Sequence, residues 1–282
     1  MEHFAGKVVL ITDLDAEIGA EVAERVLRAG ASILVTGIRA TEIISNRFEG
    51  RQGITDTGIA RSTTDKITEL CAQIEQDHGG LDVIFANNHV DPGIDADSFL
   101  DTHAAGMLVT LQKLQHLVRN GGTIVVCASF PPELREKSKF VILGAAVLLR
   151  SFAQSWSLVL ETRRIRVNVV SLYRLDSDHD FTGEDFNVSS SRQPFKGRTR
   201  SNTVEEVASA IVGLASEDCS ANGTEVVIVD GGAKEMPLSY SAESGLLGSP
   251  AQIVDNVVFL ASDVSRPLTG IQLFPEGEIR KL

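Results

Sequence analysis

The sequence predicts a doubly wound α/β fold, in which a parallel sheet is covered by helices on both faces. Three observations carry that expectation. Short, β-branched apolar runs recur along the chain as far as Ser171. Stretches with helical apolar spacing separate them. Glycines stand where those helices would stop. Such alternation favours parallel pairing, because each helix must carry the chain back across the sheet before the next strand can join it.

Residues 7–12 (KVVLIT) form a run too short for a helix and rich enough in valine and isoleucine for a buried strand. Residues 16–29 place Ile18, Val22, Ala23, Val26 and Leu27 on one helical face, and Gly30 closes the helix. Residues 32–36 (SILVT) are the second strand. Residues 62–77 form a helix, with Ile67, Leu70, Cys71 and Ile74 on its apolar side. A strand follows over 81–86, then a helix over 102–119 that ends at Gly121 and Gly122. Residues 123–127 are a strand, 140–161 a long and mostly apolar helix, and 166–171 a further strand.

Residues 172–202 are polar and aperiodic, too long for a simple connector, and are expected to form a lid or substrate loop. The tail repeats itself. Residues 203–232 resemble residues 249–277, and Leu214-Ala215-Ser216 returns as Leu260-Ala261-Ser262. Each copy reads as a helix, a turn and a strand. The chain is therefore expected to divide into a main domain, 1–236, and an extension, 237–282, that duplicates the terminal helix-strand unit. The second copy would add an edge strand or swap into a partner subunit.

Composition narrows the partners. A net charge of −12 opposes binding to nucleic acid or anionic lipid. Hydrophobic content of 43% is ordinary for a globular protein, and no apolar run reaches the ~18 residues of a membrane span. Cys71, Cys127 and Cys219 are scattered, forming neither a disulfide framework nor a zinc pattern, and no signal peptide is visible; a reducing cytoplasm is the expected setting. The acids and histidine of 176–180 (DSDHD) read as a solvated loop, so no metal site is expected.

In order and spacing, several phrases resemble the short-chain dehydrogenase/reductase family over nearly the whole chain. They are Gly6-Lys7-Val8-Val9-Leu10-Ile11-Thr12, Leu81-Asp82-Val83-Ile84 ahead of Asn87-Asn88, Gly122-Thr123-Ile124-Val125-Val126, Ile165-Arg166-Val167-Asn168 and Val229-Asp230-Gly231-Gly232. The resemblance implies a Rossmann-like sheet holding NAD(H) or NADP(H) at the carboxyl ends of its strands. It also implies functional residues, and here the chain departs from the pattern. The family's TGxxxGxG turn is Thr12-Asp13-Leu14-Asp15-Ala16-Glu17-Ile18-Gly19, keeping only Thr12 and Gly19. The adenine-contacting aspartate falls on Ala60, and the NNAG turn is Ala86-Asn87-Asn88-His89. The catalytic asparagine falls on Thr102 or His103, and the serine on Cys127 or Ser129. The YxxxK pair falls on Phe140 and Gly144, and no Tyr-x-x-x-Lys occurs anywhere, since Tyr173 and Tyr240 are followed four residues on by Ser177 and Ser244. The Pro-Gly of the nicotinamide pocket becomes Leu172-Tyr173.

Glycine in the first turn lets a diphosphate lie against bare backbone. Carboxylates at Asp13 and Glu17 would instead oppose it; at an effective dielectric near 20, like charges ~4 Å apart repel by about 4 kcal/mol. The expectation is a protein that has lost dinucleotide binding and hydride transfer. Thr12, Gly19, Arg39 and Asn87 would be vestiges of the cofactor site, and no cofactor would be bound. The altered pocket would carry Asp13, Glu17, His89, His103, Cys127, Ser129 and Tyr173, where a carboxylate and a histidine can form an acid/base pair. A cofactor-independent elimination, isomerisation, cyclisation or hydrolysis of a small organic molecule is the leading expectation. Two others stand beside it: a catalytically inactive homologue that binds a ligand or supports an active family member in a hetero-oligomer, and an atypical NADP-dependent oxidoreductase with Arg39 at the 2′-phosphate. The apolar helix over 140–161 is expected to build a homo-oligomer, a dimer or tetramer.

Overall fold

The computed structural model describes residues 4–15, 17–59, 64–87, 106–129, 139–172, 204–223, 225–229, 232–236, 271–273 and 279–281. The chain divides into two compact units, Met1–Leu238 and Ser239–Leu282.

The first unit is built on one sheet. In chain order its elements are β1 (Val8–Thr12), α1 (Glu17–Arg28), β2 (Ser32–Val35), α2 (Ala40–Arg47), β3 (Ile54–Asp56), α3 (Thr64–His78), β4 (Leu81–Ala86), α4 (Gly106–Leu114), β5 (Val118–Ser129), α5 (Lys139–Val159), β6 (Arg166–Leu172), α6 (Val204–Ala215), β7 (Glu225–Val229) and β8 (Gly232–Met236). The strands lie in the order β3-β2-β1-β4-β5-β6-β7-β8, parallel except for β8. The expected doubly wound parallel fold is present. The chain runs outward from β1 through β2 to β3, then returns to place β4 on the other side of β1. The order reverses between β1 and β4, and ligands of open α/β sheets bind in the crevice outside the carboxyl ends of the strands at such a switch.

Side chains of one strand point alternately to the two faces. Leu10, Ile84, Ile124 and Val167 therefore pack on one side with Ile67, Leu70 and Ile74 of α3, Leu111 and Leu114 of α4, and Leu149 of α5. Val9, Ile11, Ile33, Phe85 and Val125 face the other side, against Ile18, Val22 and Val26 of α1 and Val207 and Ile211 of α6. Both layers are apolar, which explains why the strand sequences read as nearly continuous hydrophobic runs.

Three elements depart from the sequence reading. The helix expected over 102–119 ends at Leu114, passes through a 3-10 turn (Gln115–Leu117) and becomes strand at Val118. The sheet captures Val118, which is fully buried and pairs with Leu81; residues 119–122 then bulge out before Thr123 pairs with Val83. Only glycine fits at the return, because a Cβ on Gly122 would stand 2.6 Å from Val118 Cγ1 and 2.7 Å from the Asp82 carbonyl oxygen. The second departure is α2 and β3, short elements absent from the sequence reading. The third is β8, which turns back antiparallel on β7 and is absent from the sequence reading.

In the second unit β9 (Ile271–Leu273) and β10 (Ile279–Lys281) form an antiparallel pair. At the offset that aligns Leu214 with Leu260, β9 corresponds to the start of β7 and β10 to the middle of β8. The expected lid over 172–202 and the helix of the second copy fall outside the described residues, apart from Leu172 at the end of β6.

Candidate functional site

The candidate site is the β1–α1 turn at the switch between β1 and β4. The two strands are in register to their tips, with Thr12 opposite Ala86. Beyond that point Thr12 Oγ1 donates to the Asn87 carbonyl at 2.8 Å and accepts from the Asn87 N–H at 3.0 Å. Asn87, buried at 4% exposure, donates through Nδ2 to the Asp13 carbonyl at 3.1 Å. The end of β2 holds the other side of the turn. Thr36 Oγ1 accepts from the Asp13 N–H at 3.1 Å, and the Thr36 carbonyl accepts from the Leu14 N–H at 2.8 Å. The Leu14 side chain is fully buried and anchors the loop in the core.

This clamp fixes the backbone in the form that glycines would give it. Asp13 lies at φ 57°, in the left-handed region. Aspartate visits that region more readily than most residues. Gly19 lies against the turn so closely that a Cβ would stand 3.0 Å from the Asp13 carbonyl oxygen, 3.2 Å from Asn87 Nδ2 and 3.3 Å from Leu14 Cα. At Gly19 the first turn of α1 therefore lies backbone against backbone with the β1–α1 turn.

Asp15 does not join a row of acids facing the turn. Its carboxylate reaches across to the β2–α2 connection and accepts the N–H groups of Ile38 at 2.7 Å and Arg39 at 2.6 Å. Gly37 makes room for it: a Cβ there would stand 3.1 and 3.2 Å from the two carboxylate oxygens. Arg39, expected to be open to a 2′-phosphate, is forked onto Glu42 through Nε and Nη2 at 3.0 and 2.9 Å. Glu42 holds the Arg39 guanidinium above its ordinary range, and Arg39 holds the Glu42 carboxyl below its own.

The remaining predicted residues are not brought together among the described residues. Cys127 is 1% exposed within the α1 and α6 layer, and burial pushes its thiol up to about 12. Such a thiol yields no useful thiolate near neutrality, so Cys127 is a core residue and the expectation that it lines the altered pocket is corrected. The strand register explains it, since Cys127 shares its face with Val125. Ser129 closes β5 and Glu17 opens α1, but their side chains lie outside the described residues, as do His89, His103, Tyr173 and Ala60 entirely. Thr36 and Asp15 were missed as shapers of the turn. The β2 pairing that brings them there joins residues more than twenty positions apart.

A second polar region lies at the opposite, amino-terminal ends of the strands. It is a cavity of about 280 Å³ lined by groups that include Lys7, Asp82, Arg166 and Glu217. Asp82 accepts the Val8 N–H at 2.8 Å and pairs with Arg119 at 2.7 Å. The half-buried Arg166 guanidinium donates to the carbonyls of Leu214 and Ser216 at 2.7 and 2.8 Å, closing the end of α6. No group of three or more metal-ligating side chains occurs among the described residues. Nor does any described helix have the length and apolarity to cross a membrane.

Residues 15–234 match the family model described as enoyl-(acyl carrier protein) reductase. The chain belongs to the short-chain dehydrogenase/reductase family. It is 26% identical over 252 residues to the glucose 1-dehydrogenase of Gluconobacter oxydans, covering 82% of this chain and 93% of that one. It is 24% identical over 251 residues to the oxidoreductase asL5 of Sarocladium schorii, covering 84% and 99%. A short-chain dehydrogenase/reductase from Serratia marcescens superimposes with a TM-score of 0.64 at 19% identity, covering 81% of this chain and 98% of that one, and it shares the fold. These matches overturn the expectation of a cofactor-free, non-redox protein, because the relatives are named as dehydrogenases and oxidoreductases. The physical basis of the correction lies in the turn. Asp13 takes a glycine-like backbone angle, and Asp15 is drawn away to the β2–α2 amides.

Proposed function

We propose that this protein is an oxidoreductase that uses a nicotinamide dinucleotide, NAD(H) or NADP(H), on a small organic alcohol or carbonyl compound. The observation that carries the reading is Gly19, packed so closely under the clamped turn that even a methyl side chain would push the turn aside, at the switch point of a family whose named relatives are redox enzymes. The bound dinucleotide would supply the hydride chemistry. The amino-terminal backbone of α1 would meet the diphosphate, while Thr12 and Asn87 hold the turn to β4. The chain has no Tyr-x-x-x-Lys, so the accompanying proton must move through another group. His89, His103, Ser129 and Tyr173 are the residues to substitute in finding it. Titrating the protein with NAD+ and NADP+ by calorimetry tests the reading. Binding of either at micromolar to submillimolar concentration is expected, and no heat from either at millimolar concentration would reject it.

A homo-oligomer is part of the proposal. Val159, Leu158 and Leu148 on α5 and Val109 on α4 are exposed at 70, 42, 40 and 45%. Exposed large apolar residues on these two helices suit contact with a second copy. Light scattering should return a multiple of the 30.3 kDa chain mass. Substituting Leu148, Leu158 and Val159 together by serine should lower it.

A further inference from the structure

We propose that Asp15 determines cofactor choice, with its carboxylate favouring NAD(H) and disfavouring NADP(H). The inference rests on the dinucleotide reading above and deepens it. In sheets of this kind the adenosine ribose lies at the tip of the second strand, where an acidic side chain takes the 2′-hydroxyl or a basic one takes the 2′-phosphate. The tip of β2 supplies no acid of its own, since its residues are Thr36, Gly37 and Ile38. The carboxylate arrives instead from the first turn. Asp15 spans to the amides of Ile38 and Arg39 and lies over Gly37, whose missing side chain leaves the space.

Two features of this carboxylate set its effect. An ionised carboxylate has about four acceptor positions, and among the described residues two N–H groups use two of them. The others suit donors such as the hydroxyls of a ribose. A 2′-phosphate offers no donor to match when fully ionised. The surrounding charge works in the same direction. Among the described side chains about this connection, Arg39 is positive and already forked onto Glu42. Asp56 at the end of β3 adds a third carboxylate, bonded to Thr41 Oγ1 and the Gly58 N–H. Three acids against one base make this corner acidic, and a doubly charged phosphate would be placed inside it.

The test is calorimetric titration of the full chain and of Asp15→Ser and Asp15→Asn with NAD+ and NADP+, with the melting temperature of each variant recorded. The wild-type protein should bind NAD+ at least about tenfold more tightly than NADP+. Both substitutions should narrow that ratio toward unity at low salt, chiefly by strengthening NADP+. Equal or tighter binding of NADP+ by the wild type would overturn the inference while leaving the oxidoreductase reading intact. So would an unchanged ratio in a folded variant. Failure of the wild type to bind either nucleotide would reject the dinucleotide reading itself. If neither variant folds, the wild-type ratio still decides.

Discussion

The two ends of the sheet are both polar, yet they are polar in different ways. At the amino-terminal ends the charged groups are long side chains locked onto the fold: Arg119 on Asp82, Asp82 on the Val8 amide, and Arg166 on the carbonyls that finish α6. At the carboxyl ends the polar groups are short, and they shape backbone. Thr12 binds the Asn87 main chain, and Asn87 and Thr36 hold the main chain of Asp13. The first arrangement spends its bonding capacity on holding elements together. The second fixes a concave turn and leaves acceptor positions on Asp15. Polarity alone therefore does not mark a binding site; unused bonding capacity held in a rigid frame does.

Four substitutions would break or sharpen that contrast. Gly122→Ala should cost the most stability, about 3 kcal/mol in urea unfolding, because its Cβ would meet the Val118 side chain and two carbonyl oxygens at 2.6–2.9 Å. Arg166→Ala should cost about 2 kcal/mol by orphaning carbonyls at the end of α6. Its dinucleotide affinity, measured by calorimetry on the folded protein, should be unchanged. Gly19→Ala should do the opposite. Its contacts of 3.0–3.3 Å require only small shifts, about 1 kcal/mol of stability, but NAD+ affinity should fall by at least about tenfold as the turn moves. A loss of affinity in Arg166→Ala, or none in Gly19→Ala, would remove the distinction between the two ends.

The smallest effect is a pH dependence at the amino-terminal end. A hydrogen bond from Lys7 to Glu217 at 2.5 Å, chiefly, holds the Lys7 ammonium above its ordinary 10.5. A raised folded value means that the contribution is complete below 10.5 and is lost as the pH climbs through the folded value. Lys7→Met should therefore be less stable at neutral pH, by under about 1 kcal/mol since Glu217 is 68% exposed. The gap between the two proteins should close above pH 10.5, as followed by denaturant midpoints across that range.

Much of the fold was legible because the buried strands advertise themselves. Residues 81–86 and the β-branched runs at β1, β2 and β6 are apolar on both faces, a pattern that only a covered parallel sheet requires. The short α2 and β3 carried no such signal, since only Ala40 of α2 is buried and β3 has three residues. The helix before β5 was read too long because Val118 fits a helical face as well as a strand, and pairing with Leu81 decided the matter. The candidate site was legible in composition but not in direction. The sequence shows acids at 13, 15 and 17, and nothing local reveals that one adopts a left-handed backbone while another crosses to a neighbouring loop. Those outcomes depend on the parallel pairing of β1 with β2, a long-range event. The misreading of function followed from setting the carboxylates of Asp13 and Glu17 against a diphosphate on residue type alone.

The left-handed Asp13 has a consequence for how this turn can change over generations. Its backbone is held by Thr36 and Asn87 in a shape that suits glycine better. Aspartate and glycine codons differ at a single base. Glycine, the residue of the family pattern, is thus one point mutation away, and the architecture that would receive it is already in place. A lineage carrying this turn can take up a glycine there without first rebuilding the loop.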